Sequence, residues 1–386
     1  MGFLALSGLL LLLFGPTDEA QGQSVRAFVP TIEAIVPDPN ETLFKTHYIT
    51  SNERHHIASL KYAHETGGVF IGVGTDQNFV LLPTLRPSHI VMMDFDQWAV
   101  DAHSIYRHLF RTRSNPAEFL DFFKEERLAS KRRELREHGD TLEAGRRMER
   151  VFARYRADIL KRLREVRNRL NGKSVTGYLN DQATYEYLRE FVLSGRYAAV
   201  RGDLTKDRTL LALAQTLKTM GLKVGAMALT NAEQYFDYTA SFKRNMRAFD
   251  YRPNALVLRT FRVEGRHYEY YLQSTSAFLE SLDAPRIKNI RRLMNRRLTT
   301  PHPRIFLLPG MKRCAKGLCP FIVPCQGISH EGCCDGTTLR WCLFETLQTL
   351  DCSSEETAAC GWSAGQGKYT CGAHAEGPPQ FPMRCP

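Results

Sequence analysis

All ten cysteines of this 386-residue chain lie between Cys314 and Cys385, and the chain before them contains none. That distribution divides the molecule. The front must be held by apolar burial alone, whereas a tail rich in Gly, Cys and Pro needs cross-links for its stability. Cys314-x4-Cys319-x5-Cys325 and the adjacent Cys333-Cys334 lack the paired CxxC spacing of a zinc site, so disulfides are expected. Cysteine order alone does not reveal their pairing. Residues 313–386 are therefore a Cys-rich, disulfide-stabilised tail, in which Trp341 and Trp362 form either a small core or a contact surface.

Disulfides persist in oxidising compartments. At the other end of the chain, an apolar run from Phe3 to Phe14 is followed by Gly15, Pro16 and small residues up to Gly22. This reads as a signal peptide over residues 1–22, too short to span a bilayer, and no later stretch is apolar enough to do so. Leader and tail together imply export to a periplasmic or extracellular space.

The formal charge of +11 is concentrated in one place. Lys131 to Lys173 carries fifteen Lys and Arg against seven Asp and Glu. Val151, Tyr155, Ile159, Leu163, Val166 and Leu170 recur there at helical spacing, so one stripe is buried and the basic faces are solvated. A break is expected at Gly139-Asp140. An anionic envelope component is the partner that residues 131–173 would suit. The charges are mixed with acids and accompanied by no aromatic stacking set, which argues against nucleic acid. Scattered histidines show no metal-ligand spacing, so no metal site is expected.

Between leader and tail, residues 23–303 alternate apolar strands with helical stretches. Val69–Ile71, His89–Met93, Tyr197–Val200 and Val224–Leu229 read as buried strands; Trp98–Phe110 and Leu210–Met220 read as helices. Leu256–Thr260 and His267–Tyr271 flank Gly265 as a hairpin would. A helix is expected from Ser51 to Gly67, and a long basic helical insertion over about 117–170. The fold class is α/β and Rossmann-like: a mainly parallel sheet ending in an antiparallel hairpin, with the Cys-rich tail separate.

Chemistry is expected at the carboxyl ends of the strands, where open parallel sheets bind ligands. Gly72-Val73-Gly74 follows the first strand, and Asp94 closes the second. A glycine turn lets a nucleotide approach main chain, and a carboxylate receives ribose hydroxyls; the same residues would also serve as a tight turn and a helix cap. Against the methyltransferase pattern V-L-D-V-G-x-G-x-G, Phe70 replaces the acid before the turn and Asp76 replaces the third glycine. Asp203 in GDLT and Glu233 in TNAEQYF are candidate acid/base groups, with Asn231, Gln234 and Tyr235 beside them as substrate contacts. Helix capping competes as the role of Asn231 and Glu233.

The stretch GGVFIGVGTDQNFVLLPTLRPSHIVMMDFD, with GDLT and TNAEQYF, resembles a bacterial family of exported proteins and lipoproteins over roughly residues 45–275. The resemblance implies a class I methyltransferase-like fold, with no activity attached to it. It marks Gly72, Gly74, Gln77, Asn78, Arg86, Asp94, Asp203 and Asn231; of the candidates together, Gly72, Gly74, Gln77, Asn78 and Asp94 are expected to hold a cofactor such as S-adenosylmethionine, and Arg86, Asn231, Gln234 and Tyr235 a substrate. Two functions follow from sequence. One is an exported methyltransferase-like domain that binds a polar small molecule at the sheet's carboxyl edge and transfers a group, using Asp203 and Glu233. The other is a non-catalytic envelope or secreted scaffold that meets its partner through the basic helices or the tail.

Overall fold

The computed structural model describes residues 28–39, 47–53, 63, 65–172, 177–262, 268–293, 305–307, 311–314, 317–320, 327–343, 346–354 and 359–385. The expected leader over 1–22 lies outside these residues, as does most of the helix expected from Ser51; residues 51–53 themselves are not helical.

Seven strands form one sheet in the order β3-β2-β1-β4-β5-β6-β7. Strands β1 (Val69–Val73), β2 (His89–Asp94), β3 (Tyr197–Arg201), β4 (Val224–Thr230) and β5 (Tyr251–Arg262) run parallel. Strand β6 (Tyr268–Ser274) returns antiparallel to β5, completing the hairpin expected from sequence, and β7 (Ile305–Leu307) pairs parallel with β6. The sheet thus extends past residue 303, where composition alone ends the domain. Chain order reverses between β1 and β4, which is where a parallel sheet opens a crevice at its carboxyl edge.

Each inner strand is buried on both faces, which explains its unbroken apolar sequence. Phe70, Ile90, Met92, Ala226 and Leu258 point into one apolar layer; Ile71, Val91, Met93, Met227 and Val257 point into the other. The first layer is covered by α1 (Gln77–Leu85), α2 (Gln97–Thr112) and the insertion, made of α3 (Pro116–Phe122), α4 (Leu128–Glu137) and α5 (Leu142–Leu170), followed by α6 (Gln182–Leu193). The second is covered by α7 (Thr209–Thr219), α8 (Ala240–Ala248), α9 (Thr275–Asp283) and a lead-in helical turn over residues 28–33.

Helix α5 buries Val151, Ile159, Leu163, Val166 and Leu170, the stripe its spacing predicts. The break before it falls at Gly139, where a Cβ would lie 2.2 Å from the Gly145 amide, so the two backbones meet only because neither residue has a side chain. The lead-in is pinned by Asp38, which is 3% exposed and accepts from the Arg208, Thr209 and Asp203 amides. Arg208 precedes α7 without a side-chain cap of its own, and Asp38 supplies that cap from far back in the chain.

The tail contains the short strands β8 (Met311–Cys314), β9 (Gly317–Pro320), β10 (Cys333–Asp335), β11 (Thr338–Leu343), β12 (Thr346–Asp351), β13 (Cys360–Ser363) and β14 (Lys368–Cys371). Disulfides join Cys333 to Cys385, Cys334 to Cys360 and Cys352 to Cys371 around a small core of Leu339, Leu350 and Tyr369. Trp341 and Trp362 pack against that core, half-buried. No described cysteine is free. Among the described residues, no helix is long and apolar enough to cross a membrane.

Candidate functional site

The turn after β1 is closed by its own side chains. Gln77 and Asn78, at the start of α1, both turn back and donate their amides to the Val73 carbonyl, each at 3.1 Å. A Cβ on Gly72 would lie 2.8 Å from the Asn78 amide and 2.6 Å from the Phe70 ring. Gly72 is therefore glycine because Asn78 packs on it. Gly74, at φ +89°, has its amide bonded to the Met93 carbonyl and its own carbonyl bonded to His103 Nε2 at 2.7 Å. Burial lowers the His103 pKa to about 4, so the ring is neutral: Nε2–H donates to Gly74 and Nδ1 accepts from the Tyr197 hydroxyl.

The crevice beyond this turn is filled by residues 47–53, an extended strap lying over the point where strand order reverses. The Ser51 amide donates to Asp76 Oδ1 at 2.9 Å, and Arg162 of α5 donates to Asp76 Oδ2 at 2.7 Å. Arg162 also donates to the Glu53 carbonyl at 2.7 Å. The Glu53 carboxylate, 2% exposed, accepts from Thr260 and Tyr270 on the β5–β6 hairpin. Burial raises its pKa, against the opposing effect of those two hydroxyl bonds. The acid at position 76, a departure from the methyltransferase pattern, is one half of a buried ion pair. These residues do not fit S-adenosylmethionine at the turn, since the Val73 carbonyl and the Gly74 amide already have protein partners and Asp76 is paired with Arg162.

What stays open lies on either side of the strap. At the end of β2, Asp94 is half-buried and accepts from the Asp96 amide at 2.9 Å. Burial pushes its pKa up to about 7, helped by the nearby Asp96 charge and opposed by backbone hydrogen bonds. Asp96 caps α2 through the Trp98 amide and holds His47 Nδ1 at 2.8 Å, and the His47 ring stacks on Trp98 at 4.5 Å. On the β4 side, Tyr48 is 66% exposed and Tyr235 62% exposed. Tyr48 and Tyr268 both act electrostatically on Tyr235, whose pKa is raised to about 12, first by burial and then by Tyr268. Thr230, a β-branched residue at φ 50°, is held in the left-handed region where β4 enters this loop.

The family described as Domain of unknown function (DUF7790) matches residues 48–306. The chain belongs to that family. No curated protein matches it. The DUF7790 match begins in the strap and ends in β7, so it takes in both the crevice and the segment that fills it, and leaves out the Cys-rich tail.

The residues marked from sequence fall into four groups in the DUF7790 domain. Gly72, Gly74, Gln77 and Asn78 meet at the end of β1, where both side-chain amides are taken by Val73 while the Asn78 Oδ1 is buried without a hydrogen-bond partner. Asp94, Asp203, Asn231, Gln234 and Tyr235 lie along the carboxyl edge. There Asp203 Oδ1 is occupied by the Thr205 amide and hydroxyl, and a hollow of about 10 Å³ beside Arg201 and Phe95 has room for one water. Asn231 precedes the 3-10 turn Ala232–Tyr235 without a side-chain cap bond, so capping is not its role here. Arg86 is elsewhere: it ends α1 at the opposite edge of the sheet, 4.8 Å from the Tyr187 ring centroid.

Glu233 is fully buried. It forms an ion pair with Arg259 at 2.6 Å, accepts from Tyr238, and is closed off from any substrate; the Arg259 guanidinium also bonds Gln273 and lies over Phe278. That explains the acid expected to do acid/base work as part of the core instead. In the basic insertion only Arg162 is turned inward, to Asp76; Arg132 and Arg136 pair with Glu149 and Arg147 with Asp101 from partly exposed positions. Sequence reasoning did not single out His47, Glu53, Trp98 or Arg162, and no local spacing signals them, because each acts across a long stretch of chain.

Proposed function

We propose that the protein is exported and that its Rossmann-like domain is a binding scaffold, holding a small, uncharged, ring-bearing polar molecule such as a saccharide at the carboxyl rim beside the strap. The observation carrying this reading is the pair of exposed rings, Tyr48 and Tyr235, next to Gln234, whose Nε2 is buried without a hydrogen-bond partner. Aromatic faces take the apolar face of a sugar ring, and an unpaired amide donor beside them favours a hydroxyl. The closed glycine turn supports a ligand other than a nucleotide. Calorimetric titration with N,N′-diacetylchitobiose, maltose and S-adenosylhomocysteine tests it. Heat with a saccharide, lost in Tyr235→Ala, is the expected result; binding of S-adenosylhomocysteine alone would return the methyltransferase reading.

One observation favours group transfer as a second reading. Asp94 is held near neutrality at the same rim, where a carboxyl group exchanges protons readily. In that case turnover of a bound saccharide would disappear in Asp94→Asn while its binding survived.

A further inference from the structure

Helix α5 turns its apolar stripe to the core and leaves its other side to solvent along all 29 residues. With about 100° between successive residues, Arg146, Arg150, Arg154, Lys161 and Arg164 fall within an arc of about 80°, and they span about 27 Å of the helix axis. All five are exposed. Glu143 meets Arg150 at 3.1 Å, and the Tyr155 hydroxyl meets Arg154 at 3.2 Å. Among the described residues, no carboxylate lies within ion-pair distance of Arg146, Lys161 or Arg164. Asp158 and Glu165 sit just outside the arc, so the cations of this face outnumber its acids even when that border pair is counted. A groove of about 430 Å³ follows the carboxyl half of the face, where Lys161, Arg164 and Asn168 line it beside the small Ala157.

We propose that this face docks a linear sulfated polysaccharide, whose sulfates follow the row of cations and one of which enters the groove between Lys161 and Arg164. A straight row of charge complements an extended polyanion, and the arginine fork accepts a sulfate through two parallel hydrogen bonds. A bilayer fits the face poorly, because the apolar side of α5 is spent on the core and Leu142, at its first position, is the one large exposed hydrophobe along the helix. Single-stranded nucleic acid fits it poorly too, because the arc holds no ring on which a base would stack. The disulfides of the tail favour an oxidising compartment, where the extended polyanions are polysaccharides. The face is independent of the rim reading, since none of its residues belongs to the strap or to the loops after β2 and β4.

The test is fluorescence anisotropy of a labelled heparin dodecasaccharide on the full chain with disulfides intact, beside its desulfated counterpart, phosphatidylglycerol vesicles and a DNA duplex. The sulfated sugar is expected to bind, and the desulfated one not to. Lys161→Gln/Arg164→Gln is expected to weaken binding at least about tenfold and to flatten the dependence of log affinity on log salt by about two. Lys218→Gln/Lys223→Gln removes the same charge from exposed positions around α7, on the other side of the sheet, and is expected to change affinity less than about twofold. No binding of the sulfated sugar at about 0.1 mM protein, equal weakening by the two double variants, or tighter binding to the vesicles or the duplex would each overturn the proposal.

Discussion

Asp76 and Arg162 are 86 positions apart and meet at 2.7 Å, with side chains 0% and 5% exposed. Removing one member strands the other in a low-dielectric interior, which typically costs about 3–5 kcal/mol. Arg162→Met is therefore expected to lower the free energy of unfolding by about that much, and the double variant Asp76→Asn/Arg162→Met by clearly less. Urea denaturation of both variants checks it; equal losses would show that the arginine matters for its packing and not for the charge it meets.

Gly72→Ala separates packing from ligand approach. A methyl group there would overlap Phe70 and Asn78, so the expected cost is about 1–3 kcal/mol of stability. An unchanged urea midpoint would mean that Asn78 moves freely and that the glycine has another use.

The Asp94 carboxyl titrates near 7 in the fold against an ordinary 3.8. Between those values the folded chain keeps a proton that the unfolded chain has lost, so stability falls as pH rises through the window, and the deficit is complete above it. Asp94→Asn removes this contribution. The gain of the variant over the natural protein should grow from about pH 4 to about pH 7 and then level off. Thermal melting across that range reads it, and parallel curves would contradict it.

The Cys352–Cys371 disulfide closes a separation of 19 residues, for which cross-linking restricts the unfolded chain by about 3 kcal/mol. Substituting both cysteines by serine should strip hydrogen-exchange protection from β11 and β14. Strands β1 and β4, in the part of the chain without cysteine, should keep theirs. Loss of protection in both regions together would mean that tail and sheet unfold as one unit.

Much of the fold was legible for a simple reason. Strands buried on both faces have to be apolar throughout, and Val69–Val73 or Val224–Thr230 announce themselves between glycines and polar loops. Helix α6 was missed although Asp181 caps it through the Thr184 amide and Tyr185, Leu188 and Phe191 form its buried stripe, because charged residues dilute that pattern. The site was less legible. Asp76 reads as a mere departure from a glycine pattern only while Arg162 counts as one more charge on a basic helix. Glu233 looked like a strand-end acid until Arg259, 26 positions later, proved to be its partner. Local spacing records what lies one turn or one strand away, and these ion pairs are set by topology.

The separation between Glu53 and Tyr270 is 217 positions. A chain emerging from its amino end delivers the acid early and its hydroxyl partner only when nearly all of the sheet has been made. Until then the carboxylate has only Thr260 on β5 as a hydroxyl partner in the core. The last hairpin to arrive thus acts as the latch on one of the first segments out, and any truncation before β6 should leave the Glu53 carboxylate short of one of its two hydroxyl partners.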